Sequence, residues 1–492
     1  MKFQSTRSKT KVCAAEAILQ GIAPDGGLYM PESFGSISFS WKETVTKPAQ
    51  EIAADVLSAL LPSFTREEMT DLVRKAYTGK FETEELCPVV PFGNDAVLEL
   101  FRGPTSAFKD VALSMLPHLV QASKKKIGDT RQTVILTATS GDTGKAALEG
   151  FHDVEGTKIV VFYPDGGVSR IQRAQMVSQE GKNVFVSAIR GNFDDAQTGV
   201  KEIFARVSRE GLLEGTGAVL SSANSINIGR LAPQVMYYFK AYGDLARAGR
   251  IQLGDEINFV VPTGNFGDIL AGYFAKLLGL PVKKLICASN ENNVLTDFIE
   301  TGLYDRRRPF HKTTSPSMDI LVSSNLERLL FLLCGQNEEI VAGWMKELNE
   351  KGSYRVSPEV LKKLQSEFDG GYADSARAAR AIRKAWEEKG YLMDPHTAVA
   401  AAVLEDRRVK TGDETPAVIL STASPYKFSG AVLSALGEEI GTDEFAVMER
   451  LREKTGVPIP AGLAALQGKK ELHPGVIDRE AMMDFVLQSI RA

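Results

Sequence analysis

Only four cysteines occur in 492 residues, Cys13, Cys87, Cys287 and Cys334. No two form a CxxC pair, so the chain has neither the spacing of a zinc site nor a disulfide framework, and a reducing compartment suits it best. Long apolar runs are missing as well. No window of about 18 residues is continuously apolar, the length a membrane-spanning helix needs. The start, Met1-Lys2-Phe3-Gln4-Ser5-Thr6-Arg7, lacks the apolar segment of a secretory signal. Nor is there an excess of one charge. Fifty-eight basic and 62 acidic residues leave a formal charge of −4, so no global field recruits nucleic acid or an anionic membrane. The expectation is a cytoplasmic protein, monomer or homodimer, that binds any anion locally. Repeats and low-complexity segments are absent too, so the architecture must come from the order of elements.

What is present is an ordinary globular composition, 43% hydrophobic and 24% charged, with 43 glycines that suit many tight strand-to-helix turns. The length fits roughly two to four domains. Helical periodicity marks 51–60 and 66–77, with Pro48 and Pro62 as punctuation. From about Thr133, short β-branched runs at 133–139, 158–164, 183–189, 256–262, 284–289 and 416–421 read as buried strands. The stretches between them, such as 171–180 and 268–278, read as helices. This alternation predicts an α/β fold, parallel sheets flanked by helices, with ligands at the carboxyl ends of strands. The predicted organisation is a mostly helical N-terminal region (1–95) and a large domain built from 96–145 and 245–440. That domain carries a charged helical insertion at about 338–390, either a lid or satellite or a solvated segment. A smaller α/β domain (146–244) and a helical tail (441–492) complete the chain.

Chemistry concentrates in a few loops. Lys109 stands among small and apolar residues in Gly103-Pro104-Thr105-Ser106-Ala107-Phe108-Lys109-Asp110. Desolvation lowers a lysine pKa and makes its amine a nucleophile or base, although a lysine beside a phenylalanine is commonly a snorkelling surface residue. After the strand 256–262, Thr263-Gly264-Asn265-Phe266-Gly267-Asp268 opens a helix. Glycines there let a phosphate approach free backbone N–H groups, though they also serve ordinary turns. Ser140-Gly141-Asp142-Thr143-Gly144-Lys145 resembles a P-loop but lacks its first glycine, at Thr139, and its final Ser/Thr, at Ala146. Hydroxyls and amides able to grip a carboxylate remain. Two further loops, Ser421-Thr422-Ala423-Ser424-Pro425-Tyr426-Lys427-Phe428 and Asn224-Ser225-Ile226-Asn227-Ile228-Gly229-Arg230, add hydroxyls, amides and one arginine.

A Schiff-base lysine, a phosphate cradle, a carboxylate loop and a hydroxyl at a strand end are the parts a pyridoxal phosphate enzyme needs. On the segments 103–110 and 138–144, with Asp25-Gly26-Gly27-Leu28-Tyr29, Asp394-Pro395-His396-Thr397-Ala398-Val399 and 421–428, the chain resembles the threonine synthases, within the fold type II pyridoxal phosphate enzymes. The resemblance implies that Lys109 carries pyridoxal 5'-phosphate and shuttles protons. It implies further that Gly264, Asn265, Phe266 and Gly267 bind the cofactor phosphate, that Asp142 lies by the ring hydroxyl, and that Thr422 faces the ring nitrogen. Ser140 and Thr143 would take the substrate carboxylate, and Asn224 and Arg230 its phosphate. The implied reaction converts O-phospho-L-homoserine and water to L-threonine and phosphate, with no metal. A serine or threonine dehydratase of the same fold, or an inactive ligand-binding homologue, is the alternative. Two positions depart from the family pattern. Arg170 and Ser424 stand where members often carry proline and histidine, which bears on substrate preference.

Overall fold

The computed structural model describes residues 1–139 and 141–492, with every side chain of these except Asp194 and Ser208. The expected strands form as Gln132–Ala138, Thr157–Pro164, Val184–Ile189, Ile257–Pro262, Val282–Ser289 and Ala417–Ser421, and they are divided between two sheets. One sheet has the order Phe368–Tyr372, Val282–Ser289, Ile257–Pro262, Ala417–Ser421, Asp95–Glu99, Val89–Phe92, parallel except for the last hairpin. The other is wholly parallel: Val476–Ile477, Val184–Ile189, Thr157–Pro164, Gln132–Ala138, Ala218–Ser221. Thr157–Pro164 and Ile257–Pro262 are buried along their whole length, which is why apolar residues dominate both, interrupted only by Thr157, Lys158 and Asn258.

Three features depart from the expected organisation. Gln132–Ala138 falls within 96–145, yet it pairs with the strands of the smaller sheet. We propose that the boundary lies near 128–131, after Gly128 ends the helix Lys109–Ile127. The segment 338–390 supplies the edge strand Phe368–Tyr372, between the helices Pro358–Glu367 and Ser375–Lys389. The tail returns to the smaller sheet through Val476–Ile477, and Met482, Met483 and Val486 pack with Ala196, Val200 and Ile203. At the N-terminus, the helices Ala49–Leu60 and Arg66–Tyr77 accompany a three-stranded antiparallel sheet, with Phe3–Ser5 in the middle. Thr65 and Glu68 form a capping box that starts the second of these helices. Among the described residues, no helix is long and apolar enough to cross a membrane.

Two contacts fix helices whose first turns carry candidate residues. Lys109–Ile127 and Asp142–Phe151 meet at Gly150, where a Cβ would lie 2.1 Å from the Leu113 carbonyl oxygen. The obstacle is backbone, so no rotamer relieves it. Gly267–Leu277 is held from Val235–Arg247: the Tyr238 hydroxyl donates to Asp268 Oδ1 (3.1 Å) and to its carbonyl (2.8 Å), and the Tyr237 hydroxyl also donates to Oδ1. Asp268 Oδ2 is buried with no partner among the described residues. Burial pushes this carboxyl up to about 7, against the pull of the two tyrosines.

Gly150→Ala should push the two helices apart and cost about 1–3 kcal/mol of stability; an unchanged Tm would refute the close approach. Asp268 binds its proton more tightly folded than unfolded, since its pKa rises from 3.8 to about 7. It therefore destabilises the fold as pH rises between those values. Asp268→Asn keeps the Oδ1 acceptor and removes that loss, so its stability relative to the native chain should improve from pH 5 to pH 8 by on the order of 2 kcal/mol. A difference constant with pH in thermal melts would contradict this.

Candidate active site

Lys109 begins the helix Lys109–Ile127, and the turn before it is laced to the loop after Ala417–Ser421. The Phe108 N–H donates to the Thr422 carbonyl (2.8 Å), the Ser424 N–H to the Ser106 carbonyl (3.1 Å), and Ala107 bridges Ala423. Asp110 accepts the Thr105 N–H (2.8 Å) and hydroxyl (2.5 Å). Burial still pushes the Asp110 carboxyl up to about 6. The Lys109 amine moves the other way. Burial brings it down to about 8; Asp142 opposes that shift, and the positive charges of Arg230 and Lys427 reinforce it.

Asp142 starts the helix Asp142–Phe151, reached through Gly141 at φ 139°, a backbone conformation that favours glycine. The Thr139 hydroxyl shapes this turn by accepting the N–H groups of Gly141 (3.0 Å) and Gly144 (2.9 Å). Lys427 Nζ lies 2.6 Å from Asp142 Oδ1, and Gln172 Nε2 donates to the same oxygen (3.0 Å). Burial would raise the Asp142 pKa, but Lys427 and Lys109 together hold it well below the usual carboxylate range. Lys145, which a P-loop would aim at phosphate, is paired with Glu149 at 2.9 Å.

At the second glycine turn, Phe266 adopts φ 64° and starts the helix Gly267–Leu277. Carbonyl groups of this turn are tied back. The Gly264 carbonyl accepts from Ser323 Oγ (2.7 Å), and that of Asn265 from the Asn325 N–H (3.0 Å) and Nδ2 (3.1 Å). The N–H groups of Asn265, Phe266, Gly267 and Asp268 have no acceptor among the described residues. Four free donors at the positive end of an 11-residue helix suit a phosphate. A Cβ on Gly264 would come within 2.5 Å of the Ser317 carbonyl, so only glycine fits there.

Arg230 is 4% exposed. Its Nη1 donates to the Ala223 carbonyl (2.8 Å), while its buried Nε has no partner and no carboxylate pairs with it among the described residues. Burial alone pulls it down to about 10. Asn224 is half-buried in the same loop. Arg328, fully buried, ties this loop to the Gly264–Gly267 turn: Nη2 donates to the Ile226 carbonyl (2.6 Å), Nε to the Tyr29 carbonyl (3.0 Å), and Nη1 to Asn325 Oδ1.

Lys109, Asp142, Arg230 and Thr422 thus come together, and the Gly264–Gly267 turn is joined to them through Asn325 and Arg328. Thr143 is half-buried in the first turn of the Asp142 helix. Ser140 lies outside the described residues. Arg170, expected to bear on substrate preference, has its guanidinium against Asp443 (2.9 Å) and the face of Phe445. Ser424 accepts the Tyr426 N–H (3.3 Å) and caps a short turn. Sequence inspection gave no role to Lys427, Gln172, Asn325 or Arg328. Lys427 had one available signal, a lysine in a loop directly after a buried strand.

The family model described as "Pyridoxal-phosphate dependent enzyme" matches residues 96–423, "Threonine synthase N terminus" matches 2–77 and "Threonine synthase, C-terminal" matches 397–473. Threonine synthase from Pseudomonas aeruginosa is 37% identical over 481 residues, covering 96% of this chain and 98% of that one. Human threonine synthase-like 1 is 39% identical over 434 residues, 86% of this chain; the match spans only 58% of the human protein's length. The crystal structure of pyridoxal phosphate-bound threonine synthase from Brucella melitensis superposes over 100% of both chains, with a TM-score of 0.88 and 37% identity. By these matches, which together span nearly all of its length, this chain belongs to the threonine synthase family of pyridoxal-phosphate dependent enzymes.

Proposed function

We propose that the protein is a threonine synthase, converting O-phospho-L-homoserine and water to L-threonine and phosphate with pyridoxal 5'-phosphate. The observation that carries this reading is Arg230, a buried cation without a carboxylate partner among the described residues, close enough to Lys109 to depress its pKa. Such a group is stable when an anion arrives, and a substrate phosphate is that anion. A dehydratase acting on unphosphorylated serine or threonine has no use for it.

The residues also fit the cofactor. The free N–H groups of the Gly264–Gly267 turn would take its phosphate, Lys109 its aldehyde carbon, and Asp142 and Thr422 the polar positions of its ring. When bound, the group supplies a ring that withdraws electrons from the carbon beside the substrate amine. The protein's own part is to bind and to move protons. Overall, the Cγ–O bond to phosphate breaks, a hydrogen moves from Cβ to Cγ, and the oxygen of water joins Cβ. Lys109 Nζ, poised at about 8, is partly unprotonated at neutral pH and can take the Cα proton and return protons later. Thr143 and Ser140 would hold the substrate carboxylate. Asn224 and Arg230 would hold the phosphate of the bound substrate. This reading also places the enzyme in the cytoplasm, as a monomer or homodimer; four free cysteines fit a reducing compartment.

With O-phosphohomoserine supplied, phosphate and threonine should appear in equal amounts. Phosphate without threonine, or turnover only of unphosphorylated serine or threonine, would overturn the proposal. Arg230→Ala should lower kcat/KM for the phosphorylated substrate about 10–100-fold, mainly through KM, by loss of a charge-assisted hydrogen bond; an unchanged KM would remove Arg230 from this role. Lys109→Ala should lower kcat by about a thousandfold or more, and normal turnover in that variant would exclude Lys109 as the proton carrier.

A further inference from the structure

Lys427 has no task in the reaction above, yet its side chain is fully buried and its one anionic partner among the described residues, Asp142, is 3% exposed. Burying a lysine and a carboxylate costs desolvation that their attraction only partly repays. Lys427 Nζ also donates to the Thr105 carbonyl at 3.1 Å, and Thr105 holds Asp110, the neighbour of Lys109. The pair is therefore built into the turn that delivers Lys109.

The charged groups facing Lys109 are Asp142, Arg230, Lys427 and Asp110. Asp110 is occupied by the Thr105 N–H and hydroxyl, so Asp142 is the carboxylate left for either lysine. At 2.6 Å, Lys427 has it, and among the described residues the Lys109 amine has no hydrogen-bond partner. We propose that Lys427 is a positioning residue that claims the Asp142 carboxylate and so keeps Lys109 from being locked as the ammonium of that ion pair. This rests on the reading of Lys109 as the reactive amine. Without Lys427, Asp142 remains buried and ionised, Lys109 becomes its nearest counter-ion, and a proton on Lys109 is held more tightly. Without Asp142, Lys109 loses the larger of the two carboxylate influences on it, keeps Arg230 and Lys427 beside it, and holds its proton less tightly.

The test is the titration of Lys109 itself in the full-length, cofactor-free chain. Trace labelling with acetic anhydride from about pH 6 to 10, read by mass spectrometry of the Lys109 peptide, gives the midpoint of the free amine. Lys427→Met should raise that midpoint by about one pH unit or more, a roughly tenfold fall in labelling at pH 7. Asp142→Asn should lower it, and the double variant should return it toward the native value. An unmoved midpoint in a folded Lys427→Met protein, with near-UV circular dichroism and melting as controls, would overturn the proposal. Should Lys427→Met fail to fold, Asp142→Asn decides alone, and an unchanged or raised midpoint there overturns it equally. None of these readings uses turnover. A chain with no threonine synthase activity but with these shifts would sink the proposed reaction and leave the charge pairing standing.

Discussion

Lys109, Lys427 and Arg230 share a water-poor region with one firmly ionised carboxylate, Asp142, while Asp110 is drawn toward its neutral form. Charges interact several-fold more strongly in such surroundings than in water, so the surplus of positive charge has consequences that surface lysines would not have. Burial does most to lower the affinity of Lys109 for its proton, and Arg230 and Lys427 add to that against the pull of Asp142. The surplus leaves Arg230 in want of an anion. It also makes the binding of phosphate and carboxylate groups a way of relieving repulsion already present in the fold. On the proposed reading, one imbalance serves both the chemistry of the amine and the choice of ligand.

Such a surplus is useful only if the groups cannot move apart, and the structure restrains them through backbone atoms. The Lys109 turn is hydrogen-bonded to the loop carrying Thr422 and Lys427. Carbonyls of the Gly264–Gly267 turn are taken by Ser323 and Asn325, which leaves the N–H side free. Arg328 then joins Asn325, Ile226 and Tyr29. From another side, the Ser317 N–H donates to His396 Nε2 (3.2 Å), which places the ring proton on Nδ1, facing Asp394 at 2.6 Å. Ser317 in turn packs its carbonyl against Gly264. A carboxylate and a histidine thus set the height of the loop that presses on the phosphate turn.

The six buried strands were legible because strands covered on both faces read as mainly apolar, β-branched runs, and the loops after them pointed to Asp142 and the Gly264–Gly267 turn, while Lys109 stood out through its own small and apolar surroundings. Phe368–Tyr372 escaped because glycines occupy its middle and strong helical periodicity flanks it. Val476–Ile477 is too short for any pattern. The sheet to which Gln132–Ala138 belongs was not legible either, since hydrogen-bonding partners leave no periodicity in a strand's own residues. Side-chain direction was the harder problem. Lys427 and Arg170 are both basic residues near glycine- or serine-rich turns; one is aimed at Asp142 and the other at Asp443, and only tertiary structure distinguishes them.

Arg170 belongs to a clamp in which the tail, without obvious chemistry in its sequence, reaches the site. The helix Arg170–Val177 has acceptors at its N-terminus from Glu444, whose carboxylate takes the N–H groups of Arg170 (3.0 Å) and Ile171 (3.2 Å). At its other end, the Val177 carbonyl accepts the N–H groups of Leu472 (2.7 Å) and His473 (3.0 Å). Orphan groups at both ends of one helix are therefore satisfied by the tail. That helix carries Gln172, whose amide donates to the Asp142 oxygen that also meets Lys427. The helix Glu444–Thr455 packs through Phe445, Met448 and Leu451 with Val432 and Leu433, beside the larger sheet, while Val476–Ile477 extends the smaller one. The orientation of the carboxylate that sets the balance of charge around Lys109 is thus referred to both sheets at once.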